Sequence, residues 1–344
     1  MAANWAVRFG VVLVGATLLG SAQSVLAAEG CTTQSQMTAA QRDPIVTAAR
    51  GLAQRIVRGD VAGLKGAAIP EIANDFAGIT DVIGGMAPKV SGASLILQSV
   101  WLLDGTTLKP GADGTPQDAQ FFCSLNGSAA ETNFIIPGLP PGKYAFAVVQ
   151  TTGPNPWNLS VLMREDRGDW KLAGFYPQAL NAAGHDGLWY WRQAREYQKQ
   201  GEHWNAWLYF GQAADLMRPA PFITTTHMDK LMAEQATAAP PVLSKGISAE
   251  APLVVRGPNQ VEYRVIAMGT DDSLSKEQVD AVVHWRADAP PASPAAARAS
   301  NVAVATALLT AYPELRKAFH GIWVFAEVNG QAPFATEHPM EELH

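Results

Sequence analysis

Seven histidines and two cysteines are the first residues in this chain to question for chemistry. His185 and Asp186 are adjacent in Gly184-His185-Asp186 and have the types of an acid–base pair. Asp186 also stands where a helix begins, and an aspartate there accepts from free backbone N–H groups as an N-cap, which accounts for it without catalysis. His203 falls at a helical turn, as a cap or a surface group. His227, His284 and His320 are scattered and lack the spacing of metal ligands. The chain has no nucleophile elbow, P-loop, zincin helix, paired cysteine ligands or dinucleotide glycine pattern. Motifs therefore predict no catalytic residue, no metal and no cofactor. Cys31 and Cys123 are the whole thiol inventory. In an exported chain they predict one disulfide; two free buried thiols are the alternative.

A second group is aromatic. Trp189, Tyr190, Trp191, Trp204, Trp207 and Tyr209 crowd one short stretch. Such residues carry interface energy and suit a recognition surface. The same residues suit packing of a helical pair between two neighbours.

The elements that position them run over residues 186–219. Trp191, Ala194 and Tyr197 recur at helical spacing, and so do Ala206, Phe210, Ala213 and Leu216. Gly201 separates the two helices and Pro219 stops the second. With Ala194-x-x-Tyr197, the turn glycine Gly201, the small and aromatic positions Ala206, Phe210 and Ala213, and Pro219 displaced by about one residue, the stretch resembles a single tetratricopeptide-repeat unit. One unit cannot bury its faces alone, so it must dock on the chain before and after it. The resemblance implies a protein or peptide partner, with the concave-face positions on Leu188, Trp191, Arg195, Gln198 and Lys199.

A chain of 344 residues has room for two or three domains. Its hydrophobic share of 48% and charged share of 16% fit a well-buried globular protein. The net charge is −6 with no basic stripe, which argues against nucleic acid as a partner. Arg8, the apolar run 9–20 and the small residues up to Ala27 and Ala28 read as a signal peptide, 1–28, cleaved at Ala28 or Glu29. The run is too short to span a bilayer core of about 30 Å. Glu29 sits where a lipobox wants a small residue. Export to a periplasm or beyond the cell follows, with no transmembrane segment in the mature chain.

Residues 29–42 are polar and read as loose. Asp43 and Pro44 predict an N-cap and first-turn proline for a helix over 44–58. Helices over 61–67 and 71–86 follow. The period then changes to two, with strands over 93–103, 120–125, 132–136, 144–151, 157–165 and 170–176. Arg167-Gly168-Asp169 carries hairpin chemistry. Helices followed by an antiparallel meander make an α+β layer. This order, with the last strand Trp170-Lys171-Leu172-Ala173-Gly174-Phe175, resembles the cone-shaped, nuclear-transport-factor-like fold over 44–178. That resemblance admits a pocket for a hydrophobic ligand or an enzyme site as the alternative function. The inward strand faces are apolar or small, apart from Gln98, Arg164 and Lys171.

The helical unit with a capping helix over 227–237 defines a middle segment, 184–237. Residues 238–245 read as a linker. A C-terminal α+β part over 250–330 follows, with strands over 252–256, 261–268, 279–286 and 322–328. The first two join in a hairpin at 257–260. Helices run over 295–311 and 313–320, and the tail after Gly330, with Glu337, Glu341 and Glu342, is polar and irregular. The expected protein is α+β: a sheet domain, a central hairpin and a small second sheet domain. Its expected role is that of an exported, non-enzymatic interaction or scaffold protein.

Overall fold

A computed structural model describes residues 30–111, 113–124, 130–257 and 260–343. The expected signal segment and its cleavage site lie outside them, as does part of the turn expected at 257–260. The described chain is α+β, and no described helix is long and apolar enough to cross a membrane.

The chain opens with β1 (Gly30–Thr33), then α1 (Ala39–Val57), α2 (Val61–Gly66), α3 (Pro70–Asn74) and α4 (Ala77–Val90). Strands β2 (Leu95–Gly105), β3 (Ala119–Ser124), β4 (Glu131–Ile136), β5 (Gly142–Thr151), β6 (Trp157–Asp166) and β7 (Asp169–Ala179) follow. An antiparallel sheet has the order β1-β2-β5-β6-β7. Alternation along its strands feeds two cores. On one face Val100, Ala145, Val161 and Met163 meet Ile45, Ala49, Leu52 and Ile56 of α1. On the other, Leu103, Tyr144, Phe146 and Leu162 meet Phe121 of β3 and Phe134 of β4.

Three expectations for this region need correction. Residues 29–42 are not loose where described. β1 pairs with β2, Cys31 is bonded to Cys123 with Cα atoms 5.3 Å apart, and α1 has already begun at Ala39. That early start has a local cause. Thr38 and Gln41 form a capping box, satisfying the first-turn donors before Asp43-Pro44 is reached and leaving Pro44 inside the helix. The helix expected over 71–86 is two, α3 and α4, separated at Asp75-Phe76, where Phe76 buries its ring.

Short strands β8 (Asn181–Ala182) and β9 (His185–Asp186) lead into α5 (Gly187–Lys199) and α6 (His203–Met217). Gly201 between them has φ of 75°, a left-handed conformation that glycine adopts without a β-carbon clash. β10 (Ile223–Thr225) then returns to the first half of the chain and pairs with β4, giving a second sheet ordered β10-β4-β3. α7 (Thr226–Ala238) starts at its end and packs on α6.

The last part holds β11 (Leu253–Arg256), β12 (Glu262–Asp271), β13 (Asp280–Arg286), α8 (Pro294–Ala311), α9 (Leu315–Ala318), β14 (Gly321–Glu327) and β15 (Phe334–Pro339). Its sheet runs β11-β12-β13-β14-β15. β13 and β14 are parallel, and α8 and α9 supply the crossover that parallel neighbours require. β15 corrects the irregular tail: Thr336 and His338 are buried while Ala335 is exposed, so the tail alternates as a strand in spite of its polarity. One continuous buried cluster contains Tyr190, Ala206 and Phe210 of the helical pair, Leu231 of α7, and Val283, Leu308 and Val324 of the last part.

Candidate functional site

Of the five hairpin residues expected to meet a partner, the structure brings two onto a single acceptor. Trp191 is buried and its Nε1 donates to Glu234 Oε2 on α7 at 2.8 Å. Arg195, one turn on, donates from Nε and Nη2 to Glu234 Oε2 and Oε1 at 2.6 and 2.7 Å. Its guanidinium lies over the Trp191 ring, 4.7 Å from the centroid. The bonds from Arg195, against some desolvation, hold the Glu234 carboxyl below the usual glutamate range. Leu188 is exposed at the start of α5. Gln198 is half-buried, and Lys199 is exposed and paired with Glu196 at 2.7 Å.

Most of the aromatic set is spent inside the molecule. The Tyr209 hydroxyl donates to the Ala318 carbonyl at 2.7 Å, and that of Tyr190 to Ala182 at 2.9 Å. Burial pushes both phenols up. Trp204 lies 4.8 Å from the Tyr312 ring, and its backbone N–H donates to Glu314. Asp186 accepts from Trp189 N as the N-cap of α5, while His185 stacks flat on Trp189 at 3.7 Å. His203 Nδ1 lies 3.3 Å from the Ala238 carbonyl. The polar exceptions of the first sheet pair locally: Arg164 with Glu71, Lys171 with Asp166, and Gln98 with Gln150.

A cleft lies at the end of the sandwich between the first sheet and the β10-β4-β3 sheet. Its volume is about 580 Å³, and it is open to solvent on one side. Ser99, Val100 and Trp101 of β2 form one wall, and Thr33 to Ser35 with Arg42 form a second. Glu131 and Thr132 of β4 and Thr225 to His227 at the start of α7 close the far side, with Cys123 beside them. The disulfide fixes β1 against β3, and the β10–β4 pairing carries the first turn of α7 to the rim. Trp101 is half-buried and makes edge contact with Phe134, which sets its ring. Arg42 reaches Asp43 at 3.1 Å yet keeps 38% of its side chain exposed, enough to turn toward a ligand. The cleft thus combines an aromatic wall, a guanidinium and an imidazole with one opposing carboxylate, Glu131.

No family model, curated protein or solved structure matches the chain.

Sequence reasoning missed the rim contributed by β10 and α7, since nothing near Ile223 signals pairing with a strand some ninety residues earlier. It also treated His320 as isolated. The fold sets His320 Nδ1 2.9 Å from Asp280 Oδ1, with Glu337 beside them. The alternation Phe334, Thr336, His338 was the available signal for Glu337, because it makes that stretch a strand rather than a tail.

Proposed function

We propose that this is an exported, non-enzymatic binding protein whose partner is held in the cleft between β1, β2 and the β10–α7 junction. The hairpin, read as a single tetratricopeptide-like unit, serves as the clasp that holds α7 at the cleft. The cleft itself carries the reading: an apolar wall at Trp101, the guanidinium of Arg42 and the imidazole of His227 line one volume. This chemistry suits a carboxylate beside a flat apolar group, as at the free C-terminus of a peptide with an aromatic last residue. Guanidinium and helix-terminal N–H groups favour the carboxylate, and the indole favours the ring. The Cys31–Cys123 disulfide supports export, since such bonds persist in oxidising compartments.

The test is fluorescence anisotropy with a library of short labelled peptides, each with a free or an amidated C-terminus. Binding that falls on amidation, on Arg42→Ala and on Trp101→Ala supports the reading. Absence of any binder, or affinity untouched by all three changes, refutes it.

A further inference from the structure

Asp280 opens β13, His320 precedes β14 and Glu337 lies on β15, so the C-terminal sheet brings together three residues far apart in sequence. Asp280 is 1% exposed. Its Oδ1 faces His320 Nδ1 at 2.9 Å, but its Oδ2 is buried with no hydrogen-bond partner. Glu337 Oε1 is also buried and unmet. Donor atoms of the three side chains lie within 4.8 Å of one another. Residue 321, beside them, is a glycine, which lets the backbone approach the carboxylates closely. A β-carbon there would stand 2.8 Å from Glu337 Oε1, 3.0 Å from Asp280 Oδ1 and 3.0 Å from the His338 carbonyl oxygen. Three oxygens from two strands therefore converge beside Gly321, and Asp280 Oδ2 and Glu337 Oε1 are buried without a hydrogen-bond partner. Unmet buried acceptors destabilise a fold, and paired like charges do so further.

We propose that Asp280, His320 and Glu337 form a binding site for a divalent first-row transition-metal cation. Two carboxylates and one imidazole are a nitrogen–oxygen donor set, which suits zinc or manganese. The absence of thiolates from the set argues against a soft monovalent ion, and the imidazole against magnesium or calcium, which take oxygen donors. A doubly charged cation cancels both carboxylate charges, which a hydrogen-bonded imidazolium does for only one. The 2.9 Å between His320 Nδ1 and Asp280 Oδ1 is close to the separation of adjacent ligands on one ion, about 3.0 Å at a right angle and ~3.4 Å in a tetrahedron when each is ~2.1 Å from the metal. On ligation His320 is neutral and gives its Nδ1 lone pair to the ion. The His320 side chain is 43% exposed, so an ion has a path in and a water has a coordination position. Arg298 is the cation in electrostatic reach of Glu337, while Glu342 adds negative charge there and Asp271 adds it at Asp280.

Isothermal titration calorimetry on the full chain, purified without an affinity tag and stripped with chelator, tests the site with zinc chloride, manganese chloride and magnesium chloride. The expected result is one zinc or manganese ion per chain, no comparable magnesium uptake, and a metal-dependent rise in melting temperature. Glu337→Gln and His320→Ala should each weaken binding by at least about tenfold. Melts of both variants without metal establish that they fold. The proposal is overturned if the wild-type chain takes up no stoichiometric ion, or if magnesium binds as well as zinc. Folded variants that bind like wild type overturn it too.

Discussion

Arg195 grips Glu234 with two parallel hydrogen bonds of 2.6 and 2.7 Å, and so fastens the first helix of the hairpin to α7. A bidentate pair of this kind is stronger than a single contact, yet both side chains keep some exposure, 39% and 25%, which screens it. Glu234→Gln should therefore cost no more than about 1 kcal/mol at neutral pH. The pH dependence has a definite sign. The folded-state pKa of Glu234 is depressed, so its contribution is fully present above the ordinary glutamate pKa and is lost as pH falls through the depressed value. Arg195 stays charged throughout. Thermal melts of the wild type and Glu234→Gln should differ at pH 7 and converge as the pH is lowered through the carboxylate range. A gap that widens on acidification would contradict this account.

Trp191 belongs to the same contact but not to the same energy scale. It is 6% exposed, with its ring under Arg195 and its N–H on Glu234. Trp191→Ala should cost about 3–5 kcal/mol, as aromatic truncations in cores do, measured by chemical denaturation. Leu188, exposed at the start of the same helix, should tolerate alanine within about 0.5 kcal/mol.

The disulfide closes a loop with a sequence separation of 92. Chain entropy predicts a loss of about 4–5 kcal/mol when it is removed, reduced by any structure in the unfolded chain. The double change Cys31→Ala with Cys123→Ala should lower the urea midpoint accordingly. Hydrogen exchange should rise first in β1, an edge strand that, among the described residues, has β2 as its only ladder partner.

Period-two segments were legible where β2, β5, β6 and β7 each have two apolar faces or an apolar and a polar one. β2, β5, β6 and β7 follow their residue patterns closely, and the turn at Arg167-Gly168 joins β6 to β7. What the residues concealed was set by distant partners. Pro44 looked like a helix start, but Thr38 and Gln41 reach the free N–H groups first. Glu337 looked like part of a solvated tail, but Trp323 lies opposite it across the β14–β15 ladder. Arg195 and Trp191 could be placed on one helical stripe, whereas their acceptor, Glu234, lies on a helix the local pattern does not connect to them. The cleft was hidden for the same reason. Its walls come from β1, β2, β4 and the β10–α7 junction, and only pairing across the whole chain assembles them.

Ala206 is fully buried in the core that α6 shares with the C-terminal sheet. A leucine there has no space to enter, and interiors packed at crystal-like density yield little. Ala206→Leu should cost about 1–3 kcal/mol. A melt within about 0.5 °C of wild type would show that the hairpin can part without penalty.

Asn301 is the one fully buried asparagine of α8, and it binds in four directions among the described residues. Its Oδ1 accepts from Trp285 Nε1 at 2.9 Å. Its Nδ2 donates to the Val324 carbonyl at 2.9 Å, to Thr336 Oγ1 at 2.9 Å and, more weakly, to the Phe334 carbonyl at 3.3 Å. The side chain thereby links the crossover helix to β13, β14 and β15. Asn301→Ala removes no charge and little volume, but leaves an indole N–H and strand oxygens unmet in the interior. Each such group costs about 1–3 kcal/mol when water cannot reach it. Asn301→Asp keeps the acceptor for Trp285 and loses the donors, so it should be at least as damaging, since it also buries a charge. Asn301→Ala should therefore lower stability by at least about 2 kcal/mol in denaturant titration. It should also raise hydrogen exchange in β14 and β15 while leaving the first sheet unchanged. An alanine variant as stable as wild type would mean that this network contributes no net stability to the C-terminal sheet.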